Sequence, residues 1–390
     1  MPNKKKIIEC RYASAQAWYW SSTCAITGFV TVFLSYRNMD DQTIGMTNSL
    51  SCLVTILFQL FLSNYCDRHN AKLKKILSLV LMLSIFLSLI LWNKSIPSIF
   101  LLTAYITVYA LSASGNGLLN ALMMKYRNAG YSVEYGWPRG VGSIGYALSA
   151  YGLGYMIERY RPDILIPAYL VLTLVAVISI ISMPNIDDSV SSSSVNKTVS
   201  YITMLSKNPI LVCFLLAVTI CGIAQTAGTT FLIRIIESLS GGTRELGTAL
   251  LLQSLVELPM MFFSKYLLKK FHAKNLLVFS FVCFSMKVLL ITIAPSLSFV
   301  YIAMLFNMFC FGIYGISSVV FINDIVLSDQ KVRGQALVTI CFTGGLGSII
   351  GNALSGFIME NMGLTYLMWI STFISFIAVF VMILCKRMMR

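Results

Sequence analysis

Three features of the 390-residue sequence predict an all-α polytopic membrane protein with twelve transmembrane helices in two six-helix halves. Hydrophobic residues make up 57% of the chain and charged residues only 11%, too apolar a balance for a pair of soluble domains. Apolar runs of about 20 residues, the length that crosses a hydrocarbon core of about 30 Å, recur along the whole chain. A single polar, low-complexity stretch divides those runs six and six.

In the first half the runs fall at 15–36, 44–66, 76–93, 98–124, 137–158 and 164–183. In the second they fall at 210–236, 246–268, 275–293, 297–323, 335–358 and 363–385. The polar stretch, with Asp187-Asp188 and Ser191 to Ser194, reads by composition as a flexible cytoplasmic linker. The domain boundaries that follow are 1–184, 185–209 and 210–390. Both halves share a rhythm, because a short basic turn joins the second run to the third and the eighth to the ninth. Ser63-Asn64-Tyr65 leading to Ala71-Lys72 is echoed by Ser264-Lys265-Tyr266 leading to Ala273-Lys274. Parallel halves of this kind, related by an axis along the membrane normal, hold solute near mid-membrane in transporters.

A net charge of +14 would suggest a nucleic-acid partner in a soluble chain. Here its distribution gives another reason. With the N-terminus inside, 22 of the 29 Lys and Arg fall in cytoplasmic segments and 6 in outer ones, with Lys287 inside a run. This is the positive-inside rule; it predicts a multi-pass cell-membrane protein with both termini cytoplasmic, in contact with anionic lipid and needing no nucleic acid. The first run is of full spanning length without a cleavage pattern, so it is expected to stay as the first transmembrane helix. The 10 cysteines are scattered without a CxxC pair and read as small packing residues. No phosphate loop, metal cluster or nucleophile–base pair is present, so neither an enzyme nor a cofactor is expected. Trp18-Tyr19-Trp20 reads as part of an interfacial aromatic belt, with a cavity-lining role as the alternative. Gly344, Gly345, Gly347 and Gly351 give the eleventh run small residues that let helices approach closely.

Two charges break the apolar pattern at mid-depth. Glu257 lies in the eighth run and Lys287 in the ninth, where a charge costs roughly 2.5–3.5 kcal/mol on insertion scales. Such groups face a polar cavity or one another and tend to mark the path of a solute or a proton. Both histidines, His69 and His272, lie in basic loops, and Glu257 is the sole acid deep in any run. Glu257 is therefore the candidate proton carrier, with Lys287 setting its ionisation. A structural ion pair, or an acid that only accepts hydrogen bonds from solute, is the alternative. Gln225 and Gln59 could line the cavity or bond a neighbouring helix.

Several segments resemble known transporter motifs. Asn64-Tyr65-Cys66-Asp67-Arg68-His69-Asn70-Ala71-Lys72 is similar to the major facilitator loop motif, although its usual Gly is missing. That resemblance implies a gating latch at Asp67 and Arg68, for which Asp324 with Arg333 would be the second-half equivalent. Glu134-Tyr135-Gly136-Trp137-Pro138-Arg139-Gly140-Val141-Gly142-Ser143-Ile144-Gly145-Tyr146-Ala147-Leu148 resembles the start of the fifth helix in lactose-permease-like oligosaccharide symporters. It is similar also to the related nucleoside symporters and phenylpropionate-permease-like proteins. There an Arg followed by a Gly-rich run opens a closely packed helix. The resemblance implies that Arg139 binds substrate and that Tyr146 offers a stacking platform; interfacial snorkelling of Arg139 and helix packing of Tyr146 are the alternatives. Asn116 and Asn120 lie in the fourth run, and Asn120 stands where the lactose permease keeps a Glu paired with that Arg. Val256-Glu257-Leu258-Pro259 followed by Met260-Met261-Phe262-Phe263 resembles the eighth helix of the nucleoside and phenylpropionate-permease-like symporters. Lys287 takes the place of a ninth-helix Arg. Asn307-Met308-Phe309-Cys310 overlays a proton-carrying pair, Asn307 replacing the His and Cys310 the Glu, which leaves Asn307 as a hydrogen-bonding residue for substrate.

The resemblance as a whole implies the major facilitator fold and a monomer acting by alternating access. Its function would be secondary active transport, the proton-coupled uptake (symport) of a small polar solute, a sugar or oligosaccharide first. A nucleoside:proton symporter is the alternative that Asn120 and Asn128-Ala129-Gly130 fit. An uncoupled facilitator fits the loss of the His and Glu. A drug exporter would use acids in the first half's cavity, and none is expected there, since no acid lies deep in a first-half run.

Overall fold

The computed structural model describes residues 2–69, 72–129, 131, 136–184, 201–326, 331–342 and 345–388. The first span consists of α1 (Pro2–Thr23), a wide π turn at Cys24–Gly28 and α2 (Val30–Tyr36). Spans two to six are α3 (Asp41–His69), α4 (Leu73–Trp92), α5 (Ser98–Asn128), α6 (Gly136–Tyr160) and α7 (Leu165–Ile181). A short helix, α8 (Tyr201–Lys207), occupies part of the segment expected as linker; residues 185–200 of that segment lie outside the described residues. The seventh span is α9 (Pro209–Thr230) with α10 (Leu232–Ser238), the eighth α11 (Thr243–Leu255) with α12 (Glu257–Lys270), and the ninth α13 (Ala273–Thr292). The tenth joins α14 (Leu297–Leu305), a second π turn at Met308–Gly312 and α15 (Ile313–Ile325). The eleventh is α16 (Lys331–Cys341) with α17 (Leu346–Met362), and the twelfth is α18 (Leu364–Arg387). The twelve spans of the expected fold are thus present.

Among the described residues, 9 helices are long and apolar enough to cross a membrane. The spans that fall short are the first, fifth and eighth, those that carry Gln16, Arg139 and Glu257. A helix that carries polar side chains on one face need not be apolar all round, and in the eighth span the break between α11 and α12 also leaves each helix short.

The chain forms two compact units: Met1–Arg37, Leu50–Ser193 and Leu246–Leu251 make one, and Asn38–Ser49, Ser194–Glu245 and Leu252–Arg390 the other. In the first, α1 packs on α6 and α7, and α4 on α5 and α7. In the second, α9 packs on α17 and α18, and α13 on α15 and α18. In terms of spans, the first unit pairs one with five and six and three with four and six. The second unit pairs seven with eleven and twelve and nine with ten and twelve. The same pattern therefore appears in both, displaced by six spans. The core of the first unit includes Tyr12, Tyr19, Leu119 and Val177; that of the second includes Phe214, Phe281, Phe284 and Phe321.

Glycines set the closest approaches. A Cβ at Gly145 would lie 2.6 Å from the Ala17 carbonyl oxygen of the first span. At Gly347 it would lie 2.9 Å from the Gly222 Cα of the seventh; Gly344 lies outside the described residues. Because backbone cannot swing aside as a side chain does, Gly145→Ala should cost about 1–3 kcal/mol. A lowered thermal unfolding midpoint in detergent is the readout. Gly152→Ala in the same helix, whose Cβ would meet nothing within 4 Å, should leave the midpoint in place.

One end of the first unit is pinned by Asp163, which accepts from Lys94 at 2.6 Å and from the Tyr36 hydroxyl at 3.0 Å, with Arg37 at 3.8 Å. The hydrogen bond to Asp163 and its charge hold the Lys94 ammonium above its ordinary pKa.

Candidate functional site

The eighth span breaks next to its acid. Proline has no N–H to donate and its ring clashes with the carbonyl four residues earlier; counted back from Pro259 that residue is Leu255, where α11 stops. α12 begins at Glu257 itself. At this break the Gln253 carbonyl accepts a bond from the Asn307 side chain at 3.3 Å. The tenth span is irregular at the same depth, with its π turn starting just after Asn307, and such turns are frequent at functional sites. Gly312 ends that turn, and a Cβ there would lie 2.7 Å from the Met260 Cβ. Both irregularities bring Asn307 against the eighth span.

Asn307 joins the two mid-depth charges. Its Oδ1 accepts from the Lys287 ammonium at 2.8 Å, and its Nδ2 donates to Glu257 Oε1 at 2.5 Å. The amide dipole is turned as the charges dictate, oxygen toward the cation and N–H toward the anion. Lys287 is only 2% exposed; its Nζ also donates to Gln253 Oε1 at 3.5 Å and lies 6.0 Å from the Phe311 ring centroid. Gln253 and Glu257 are four residues apart, on either side of the break between α11 and α12. Asn307 is fully buried, whereas Glu257 is half-buried. Without the anion the Lys287 ammonium would be uncompensated in a low-dielectric interior, where such a charge is costly. Cys310, one turn beyond Asn307, is buried in the apolar core instead, and its carbonyl accepts from Ser280 at 2.9 Å.

In the first unit, Arg139 lies over the Trp20 ring, 4.2 Å from its centroid. Trp20 is held by its indole N–H, which donates to Gln16 Oε1 at 2.9 Å, while Gln16 donates to the Tyr12 hydroxyl at 2.6 Å. Asn120 donates to Asn116 Oδ1 at 3.2 Å, and the buried Asn120 Oδ1 has no hydrogen-bond partner among the described residues. The Tyr146 hydroxyl sits beside Gly28 at the π turn of the first span, 3.1 Å from where a Cβ would be. The aromatic-belt expectation is corrected for two of its three residues. Tyr19 is fully buried with its hydroxyl donating to the Ser112 carbonyl at 2.8 Å, and Trp20 carries Arg139; Trp18 alone is exposed. The belt reading failed because the aromatics project from one helix in different directions, which a cluster in sequence does not show.

Other expected site residues are dispersed. Gln225 is buried and its amide donates to the Phe284 carbonyl at 3.5 Å, the helix-to-helix bond that was the alternative to a cavity role. Asp324 is exposed, with no ion pair among the described residues. The side chains of Asp67, Arg68 and Arg333, and the motif residues Asn70, Ala71, Glu134 and Tyr135, lie outside the described residues. In the second unit a polar cluster lies at the start of α3, away from the expected latch positions. Arg234 pairs with Asp41 at 2.8 Å and with Glu237 at 3.1 Å. Asn48 donates to Thr230 and Asn352 at 3.1 and 3.3 Å, and Thr230 donates to Asn352 at 2.6 Å. Sequence reasoning missed these residues, together with Gln253 and Gln16, and placed Trp20 first in the aromatic belt. For Gln253 a signal existed in its four-residue spacing from Glu257.

With both polar constellations on a twelve-span frame, comparison with known proteins decides the family. The model of the MFS_1 like family matches residues 11–370. The chain belongs to that family. It is a multi-pass membrane transporter for a small molecule, and not an enzyme. No curated relative matches this sequence. Among solved structures, the nucleoside transporter NupG is similar at a TM-score of 0.79 and 16% identity, over 97% of this chain and 99% of that one. A point mutant of the same transporter gives 0.80 at 16% identity, over 98% and 99%. A bacterial homolog of the human lysosomal transporter Spinster, inward-facing and unoccupied, gives 0.72 at 12% identity, over 98% and 97%. At these identities the likeness is one of fold.

Proposed function

We propose that this transporter takes up a small uncharged polar solute together with protons, by alternating access, and that Glu257 carries the proton. The carrying observation is the Asn307 amide, which links a half-buried acid to a buried ammonium so that protonation of one changes the electrostatic state of the other. Two solute classes fit. The fifth-helix resemblance favours a sugar; Asn120, and the fold shared with the nucleoside transporter NupG, favour a nucleoside. In proteoliposomes, lactose or uridine should accumulate above equilibrium when a proton gradient is imposed, and a protonophore should abolish the accumulation. Uptake that stops at equilibrium whatever the gradient would mean a facilitator.

Arg139→Ala should raise KM about tenfold, equivalent to losing roughly 1.5 kcal/mol of charge-assisted hydrogen bonding to solute hydroxyls, with membrane insertion unchanged. An unaltered KM would confine Arg139 to its stacking on Trp20, worth about 0.5–2 kcal/mol.

A further inference from the structure

The polar chain beneath Arg139, all of it within the first unit, is longer than a stacking contact requires. Tyr12, Gln16 and Trp20 recur at four-residue spacing on α1, which puts them on one helix face. Gln16 is fully buried, and both ends of its amide are spent. Its Oε1 accepts the Trp20 indole N–H at 2.9 Å, and its Nε2 donates to the Tyr12 hydroxyl at 2.6 Å. The Tyr12 hydroxyl donates in turn to the Leu119 carbonyl of the fourth span at 3.4 Å. Because an indole N–H can only donate, the amide has one orientation and its bond fixes the direction of the ring. Tyr19 meets the same ring edge-on, with centroids 5.6 Å apart and planes at 82°. On α6, Gly142 makes room for the indole, since a Cβ there would lie 2.7 Å from Trp20 Cδ1. Arg139, one turn earlier on that helix, lays its guanidinium over the ring. A buried polar chain whose members are satisfied specifies one geometry, and this chain ends at Arg139.

We propose that Trp20 is the positioning residue for Arg139, its indole locked by Gln16 so that the guanidinium is held in one plane before solute arrives. Stacking engages a guanidinium by its face and spends none of its five N–H donors, so the edge of the group is left for solute hydroxyls. An arginine without such a platform would lose rotamer freedom each time solute bound, and that loss weakens binding. Here the freedom is given up once, on folding. The proposal rests on the reading of Arg139 as a group that binds a sugar or a nucleoside, and adds a residue that sets affinity through Arg139.

The test is uptake of lactose and of uridine by proteoliposomes of the full-length chain, with KM and Vmax read separately and Vmax scaled to inserted protein. Trp20→Leu removes the ring face and should raise KM for the transported probe about tenfold, as Arg139→Ala does, with Vmax nearly unchanged. The double variant should be no worse than either single one, because the guanidinium through which Trp20 acts is already gone. Trp20→Phe, which keeps a ring face, and Gln16→Met, which only unlocks the indole, should each stay within about threefold of the wild-type KM. Gln16→Met carries the test should Trp20→Leu fail to insert, its expected result then being a rise of about threefold. An unaltered KM in Trp20→Leu and Gln16→Met, effects that multiply in the double variant, or Trp20→Phe as impaired as Trp20→Leu would overturn the proposal and leave Arg139 a solute ligand. A loss confined to Vmax or to the amount of inserted protein would make Trp20 a packing residue and overturn it as well. An unaltered KM in Arg139→Ala, or uptake of neither probe by the wild type, would overturn the reading of Arg139 and this proposal with it.

Discussion

Glu257→Gln is expected to lower proton-driven accumulation about 100-fold, the least that loss of an essential protonatable group removes, while exchange of solute across the membrane continues near the wild-type rate. Gln keeps the shape of Glu and can still accept the Asn307 N–H, so the cluster stays assembled. What is lost is the change of charge. Exchange in the variant should also lose its dependence on pH across the range where wild-type uptake varies. The measurement is paired uptake and counterflow in proteoliposomes. Undiminished uphill uptake by the variant would remove Glu257 from coupling, and parallel loss of uptake and exchange would make it a solute ligand or a structural acid.

Lys287→Met carries the second large effect, and it falls on stability. Lys287 is buried and bonded to Asn307, so its removal leaves the Glu257 carboxylate without its cation and the Asn307 oxygen without a donor. Breaking a buried charge pair by removing one partner costs about 3–5 kcal/mol. The thermal unfolding midpoint in detergent should drop sharply. Adding Glu257→Gln to Lys287→Met removes the stranded charge, and the double variant should recover most of the midpoint but none of the coupling. A single Lys287→Met variant as stable as wild type would show that the ammonium does not offset the acid's burial.

The frame was legible because membrane crossing is a composition problem. Twelve apolar runs and one polar stretch required no knowledge of packing, and the observed helices fall on the runs. Glu257 and Lys287 were legible for the same reason, since an isolated charge in an apolar run stands out. The link between them was not. Asn307 lies 20 residues beyond Lys287 and 50 beyond Glu257, and the break between α11 and α12 and the π turn after Asn307 bring them together. Hydropathy is blind to both irregularities. The packing role of the fifth-helix glycines could be anticipated from residue size, but the neighbour that fills the space, the Ala17 backbone, could not. Asp41 and Arg234 escaped notice because charges at span ends are ordinary, and only the fold shows that these two meet at 2.8 Å.

The most direct test of Glu257 as the proton carrier does not need the solute. Infrared difference spectra of the purified protein, recorded as pH is lowered, report the carboxylic C=O stretch of acids that take up a proton in an apolar setting. Such a band is expected in the wild type and its disappearance in Glu257→Gln, with the band altered in Asn307→Ala, where the amide donor to the carboxyl is lost. A band that persists in Glu257→Gln would place the proton on another group and contradict the account.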